Sequence, residues 1–403
     1  MKVAIDWSEA GIMQANRLLG LDGGNLEALR ESAAILRESE QLRQRLSQCL
    51  YELPDDPSDA DGFAAAAAAL PKLVEAHAAG IREAMGSHAR MFPVWLIAGM
   101  LPWTAACYRA RGIPDEILED TMVDLSIWMN ATFAQHGEHG LDNLGWLLHH
   151  ASGRLFRLGR LQFMHKTFDH PVIALRSRRS GEVALLSEAG IIYRRDGRIE
   201  GTNGVFDGEA SWQAEFHRTE EGYLGHPIAA DGTAVRDTAL LPAEEWTVEL
   251  HRGDPVLDMH IPEGGPMQPE QCRESFGRAV RFFADRFPDK PFRALVCTSW
   301  LLDAQLAGIL PASSNIAAFQ RELHLYPVRS NEEETYRRVF GTSRIDPRTA
   351  SRATKLQRAI ADYAEAGGLL HAAGGLLLLA DAVRPAVSSS PAISPGPPGT
   401  PAE

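Results

Sequence analysis

Apolar residues recur at helical spacing through the first third of the chain and at strand spacing after it. From Asn25 to Leu50, Leu26, Leu29, Ala33, Leu36, Leu42 and Leu46 stand among Glu, Arg and Gln, as in a helix with one buried face. Ala64 to Met85 is rich in alanine with Glu and Lys, all good helix formers, and Pro71 is expected to split it. Met91 to Arg109 (MFPVWLIAGMLPWTAACYR) is apolar nearly all round, which predicts a buried helix broken or kinked at Pro102. Pro114-Asp-Glu opens a further helix with Leu118, Met122, Leu125 and Trp128, and Leu141 to Leu155 follows with Trp146, Leu147 and Leu148.

The pattern shortens near Gly159. Leu161–Met164, Val172–Arg176, Glu182–Leu186 and Gly190–Arg194 are short strands in an antiparallel arrangement. Between and after them come the hairpin dipeptides Asp196-Gly197 and Asp231-Gly232 and the turn cluster Gly201–Gly204. Gly222-Tyr-Leu-Gly-His226-Pro reads as a tight connection between strands. Trp246–Leu250 and Pro255–Ile261 are further strands. In the second, Val256, Asp258 and His260 share one face, and Leu257, Met259 and Ile261 share the other. Pro262-Glu-Gly-Gly-Pro266 stops that strand, and Pro269-Glu270 opens an amphipathic helix carrying Phe276, Ala279, Phe282 and Phe283. Phe292–Leu301 is a buried strand, Ser313-Ser-Asn315 caps a short helix, and Glu322–Val328 is another strand. Thr349–Ala366 is a helix ended by Gly367-Gly368. Leu369–Leu379 fits either a strand pair about Gly374-Gly375 or a helix.

These elements predict an α+β protein with a helical N-terminal domain over 1–152 and a domain with a mixed, mainly antiparallel sheet over 153–385. The Ser-, Pro- and Gly-rich tail, 386–403, is expected to be disordered. The length of 403 residues agrees with two domains of ordinary size. A net charge of −13 without any concentrated Lys/Arg face excludes nucleic acid as an expected partner. The 4 cysteines are scattered and form no CxxC pair, as in a reduced, cytoplasmic protein. The N-terminal stretch lacks the apolar segment of a signal peptide, and the longest apolar runs are too short to span a bilayer, so no membrane association is expected. His136, Glu138, His139, His149, His150, His165 and His170 form a histidine-rich stretch. None of it fits H-E-x-x-H, and no metal is expected. Serine-hydrolase elbows and Walker-type phosphate loops are absent.

Several segments together resemble a known family. They are FPVWLIAGMLPW from Phe92, GRLQFMH from Gly159, GYLGHPI from Gly222, LDMHIPEGGPM from Leu257, CTSWLLD from Cys297 and SSNIAAFQ from Ser313. The chain resembles bacterial acyltransferase-domain proteins that pair a helical N-acyltransferase N-terminal domain with a C-terminal domain like that of the GNAT N-acetyltransferases. The resemblance implies an acyl-CoA-dependent acyltransferase acting on an amine of a small molecule, with acetyl-CoA or another acyl-CoA as cosubstrate. It further implies two central strands that part to admit the pantetheine arm; with Pro255–Ile261 and Phe292–Leu301 as those strands, Cys297, Thr298, Ser299 and Trp300 are expected to line the gap. The usual Q/R-x-x-G-x-G/A turn is missing; His260-Ile-Pro-Glu-Gly-Gly-Pro-Met267 stands in its place.

An amine acyltransferase needs a base for the amine, donors for the thioester carbonyl and an acid for the departing thiolate. His260 at a strand end is the candidate base, with Asp258 on the same face to orient it, and Ser299 is the candidate acid. Ile261, Glu263, Gly264, Gly265 and Met267 are expected to border the cofactor, because a glycine turn before a helix offers backbone N–H groups to phosphate. Asn315 is a candidate contact to a pantetheine amide, and Ser314 or Asn315 equally suits a helix cap. Each residue also has a structural reading: strand-end packing for His260, core for Cys297. The alternative function is a non-catalytic ligand-binding or regulatory protein on the same scaffold, and a third is an enzyme using another activated donor.

Overall fold

A computed structural model describes residues 5–54, 56 and 59–382. The tail expected to be disordered lies outside the described residues. Helices α1 (Glu9–Leu19), α2 (Gly23–Glu38), α3 (Glu40–Tyr51), α4 (Ala60–Ala76), α5 (Ala78–Met85), α6 (Phe92–Ala110), α7 (Asp115–His136) and α8 (Leu144–Ala151) build the N-terminal part. The single amphipathic run expected over 25–50 is two helices parted at Ser39, whose side chain accepts the Leu42 N–H and so starts α3. Neither internal proline ends its helix. α4 runs through Pro71 and stops at His77; α6 runs through Pro102 without a break.

The reason in α6 is burial. Nearly every residue from Phe92 to Tyr108 is enclosed, and Trp95 Nε1 donates to Ser32 Oγ at 2.9 Å. Packing on that scale outweighs the ~3 kcal/mol a proline costs inside a helix. The stretch Ala78–Ala110 is apolar and long enough to cross a membrane by composition, yet 89% of its most apolar window is buried within the molecule, as befits a core helix.

The C-terminal part is built on a six-stranded sheet of β1 (Leu155–Leu158), β2 (Leu161–Thr167), β12 (Pro255–His260), β13 (Ala294–Ser299), β15 (Ala373–Leu378) and β14 (His324–Pro327), in that order across the sheet. Between β2 and β12 the chain forms a second sheet and two smaller ones. The second holds β3 (Val172–Ser177), β4 (Val183–Ser187), β9 (Pro227–Ile228) and β11 (Trp246–Leu250). The smaller two hold β5 (Ile192–Tyr193) with β6 (Trp212–Gln213), and β7 (Phe216–Arg218), β8 (Gly222–Gly225) and β10 (Ala239–Pro242). All pairings are antiparallel except β12 with β13 among the described residues. Helix α9 (Pro269–Arg286) joins that parallel pair; α10 (Gln305–Ile309) and α11 (Asn315–Gln320) lead to β14; α12 (Glu333–Phe340) and α13 (Lys355–Glu365) lead to β15; α14 (Leu379–Ala382) follows it.

One apolar core extends from the helices, through Phe156 and α9, to the sheet face bearing Leu257, Met259, Leu295 and Leu377. The opposite face, with Val256, Val296, Tyr326 and Leu376, packs against Val172, Ala174 and Leu250 of the second sheet. Residues 369–379 form neither a strand pair nor a long helix: β15 passes straight through both glycines. A side chain at Gly374 would run into the Tyr326 ring, and one at Gly375 would stand 3.0 Å from Leu323. Those glycines are close-approach positions within a strand, not a turn. Likewise Gly222–Gly225 is itself strand β8, not a connection.

Candidate functional site

β12 and β13 pair at two positions only, Leu257 with Leu295 and Asp258 with Val296. Beyond these, β12 continues to His260 along β2, and β13 continues to Ser299 along β15, with no pairing between them. A gap therefore opens in the sheet at the ends of both strands, leaving backbone groups on its two edges for a ligand.

Alternation sets what lines the gap. Asp258, His260 and Thr298 project to the second-sheet side, where Tyr326 also lies, crossing Gly374 in a row with Thr298. His260 Nε2 is 3.4 Å from Asp258 Oδ2 and is buried without an aligned hydrogen bond. Lys166 Nζ, from β2, is 3.7 Å from the same carboxylate oxygen. Thr298, exposed in the gap, places its hydroxyl 3.2 Å from His170 Nε2, and the His170 ring is 5.1 Å from that of Tyr326. The helical part closes this side: Trp146 of α8 meets the His260 ring edge-on at 4.8 Å, and His149 sits beside Trp146.

Burial alone would raise the Asp258 pKa, but His260, Lys166 and His170 outweigh it and hold this carboxyl below the usual carboxylate range. Burial, with Arg154 and His150 adding, pushes His149 down to about 4. Burial also lowers His170. The wall thus presents an ionised Asp258 carboxylate beside His149 and His170 imidazoles that burial keeps neutral. That set can orient a histidine and accept a proton from a bound nucleophile.

The other face of the gap is apolar. Cys297 is fully buried, its thiol pushed far up by burial; Met267 is buried in the same core and Ile261 packs against it. Ser299 lies on this face, opposite His260, and its Oγ accepts the Leu301 N–H at 3.2 Å. Glu263, Gly264 and Gly265 are exposed in the turn before α9. Both glycines hold left-handed backbone, φ 100° and 90°, open to glycine at little cost. Among the described residues, no hydrogen bond engages the N–H of Glu263, Gly264, Gly265 or Met267. Asn315 opens α11, and Ser314 is its cap, accepting the Ile316 N–H.

The structure thus unites His260 with Asp258, gathers the turn residues at one end of the gap, and leaves Ser299 across the sheet. It also adds Lys166, His170, Tyr326, Trp146 and His149, which reach the wall from separate segments. The remaining histidines of the rich stretch disperse: His136 pairs with Asp142, His139 with Asn25, His150 with Asp124, and His165 with the Lys290 carbonyl.

Comparison with known proteins adds two family matches. Residues 11–153 match the N-acyltransferase N-terminal domain and residues 155–377 the GNAT-like C-terminal domain. Two solved structures share the fold at 20% identity and a TM-score of 0.50, each covering 91% of this chain and 99% of its own. One is an acyltransferase mutant in complex with octanoyl-CoA, the other an acyltransferase in complex with CoA and 10C-teicoplanin. No curated protein matches the chain.

Proposed function

The chain belongs to the GNAT-like C-terminal domain family, and from that premise we propose that it is an acyl-CoA-dependent acyltransferase acting on an amine of a small molecule. The observation that carries the reading is the parting of β12 and β13 beside His260 and Asp258. The thioester arm enters the gap, where unpaired strand edges meet its amides, and the diphosphate lies at the Gly264-Gly265 turn and the start of α9. The amine approaches from the wall under Trp146. Its nitrogen attacks the thioester carbonyl carbon, and His260 takes the N–H proton while Asp258 steadies the ring. The C–N bond forms, the C–S bond breaks, and the thiolate leaves with a proton. The Ser299 hydroxyl, which accepts from Leu301, retains its own proton to give. The complexes of the two similar structures favour acyl groups longer than acetyl as first donors to try.

A second reading, a non-catalytic ligand-binding protein on the same scaffold, draws on Glu263 beside the turn and on Pro262 and Pro266, which have no N–H to offer. Calorimetric titration with CoA, acetyl-CoA and octanoyl-CoA, alongside Gly265→Glu, separates the readings. Saturable binding lost in the variant, followed by amine-dependent release of CoA thiol, supports the enzyme. Binding without turnover across an amine panel supports the second reading, and no binding at millimolar ligand removes acyl-CoA from both.

A further inference from the structure

The hairpin turn Gly159-Arg160, between β1 and β2, docks on the start of α9, where the Arg160 N–H donates to Ser275 Oγ at 2.8 Å. From there the Arg160 guanidinium spans the turn that follows β12. Nη1 donates to the Pro262 carbonyl at 2.8 Å, Nη2 to that of Gly265 at 3.0 Å and Nε to that of Pro266 at 3.2 Å. Three carbonyls of one five-residue turn thus converge on a single cation carried by a different hairpin. A trans peptide is planar, so its N–H points opposite to its carbonyl. With the Pro262 and Pro266 carbonyls drawn to Arg160, the N–H groups of Glu263 and Met267 face the other way, and neither has a partner among the described residues.

We propose that Arg160, supplied from the β1–β2 hairpin, is a positioning residue for the donor site. It locks the turn with its free amides outward and adds a positive charge that offsets Glu263 beside a diphosphate. A planar guanidinium does this through three divergent N–H bonds; an ammonium cannot reproduce the fork. The inference rests on the acyl-CoA reading and names the residue that makes the diphosphate end of that site work.

The test measures Kd for CoA by calorimetry and for pantetheine, which has no diphosphate, by ligand-observed NMR, in wild type, Arg160→Gln and Arg160→Lys, with folding checked by circular dichroism. In Arg160→Gln, the preference for CoA over pantetheine is expected to fall at least about tenfold, the scale of lost charged hydrogen bonds. Arg160→Lys, which keeps the charge, is expected to fall between the two and stands in where Arg160→Gln is unfolded. Equal weakening of both ligands marks Arg160 as a general prop of the fold and overturns the proposal, as does unchanged CoA affinity. Wild-type protein that binds neither ligand overturns the acyl-CoA reading itself, and the role of Arg160 with it.

Discussion

Two histidine–aspartate pairs stand at the same end of the main sheet, and they differ in what they have left to give. Asp303, wholly buried, accepts the Gln305 N–H at 3.0 Å, the His371 N–H at 2.9 Å and the Gln305 side-chain amide at 3.1 Å, and it lies 3.0 Å from His371 Nδ1. His371 Nε2 in turn meets Arg198 Nε at 3.3 Å, and Gln305 also holds the Leu369 carbonyl and Tyr363. Every valence is used, and the cluster fastens the start of α10 to the entry of β15. His260 and Asp258 are farther apart, at 3.4 Å, and His260 Nε2 has no aligned partner. The closer pair is the poorer candidate for chemistry: its members are already held by several partners, whereas His260 Nε2 has no hydrogen bond to give up.

His260→Ala should break the comparison most severely on one side. Turnover with an accepted amine is expected to fall about 100-fold or more, the usual contribution of a general base, while the melting temperature stays put. Unchanged turnover would take His260 out of the mechanism. Asp303→Ala tests the other side: stability should drop by about 3 kcal/mol, since the half-buried His371 and Gln305 donors lose their buried acceptor, as read from urea midpoints. A loss below about 1 kcal/mol would deny the pair its structural role. Gly374→Ala is expected to cost about 1–3 kcal/mol through the clash with Tyr326, and to lower turnover by disturbing the row that includes Thr298. The smallest effect concerns pH. Burial first of all lowers His149 from 6.5 to about 4, so the unfolded chain binds its proton more readily. Its contribution is intact above about 6.5 and is lost as pH falls toward 4. His149→Gln should flatten stability against pH in that window; an unaltered slope would refute the assignment.

Much of the C-terminal half was legible because Pro and Gly punctuate it. Trp246–Leu250 is a strand with those bounds, and α9 starts at Pro269 as its sequence requires. The alternation of Pro255–Ile261 placed Asp258 and His260 on one face, and they do face the same wall. Pro71 does not split α4 and Pro102 does not break α6 for a single reason: tertiary packing exceeds the local cost of a proline. α1 and α12 went unread. The rest of the wall around His260 and Asp258 was hidden for another reason: Trp146, Lys166, His170 and Tyr326 lie on four elements or loops, and only the strand order, which spacing does not encode, brings them together. Gly374-Gly375 was a readable clue, since paired glycines inside an apolar run mark close approach as well as turns.

The packing of α8 on His260 carries a consequence for how such a protein can diversify. The ring that roofs His260, Trp146, belongs to the helical segment, whereas the turn after β12 and the Arg160 that clamps it belong to the sheet segment. On the proposed reading, the acceptor side takes part of its lining from the helical stretch, whereas the donor end is written in the sheet stretch alone. A chimera exchanging the first 152 residues would inherit a new clientele of amines and keep its old thioester.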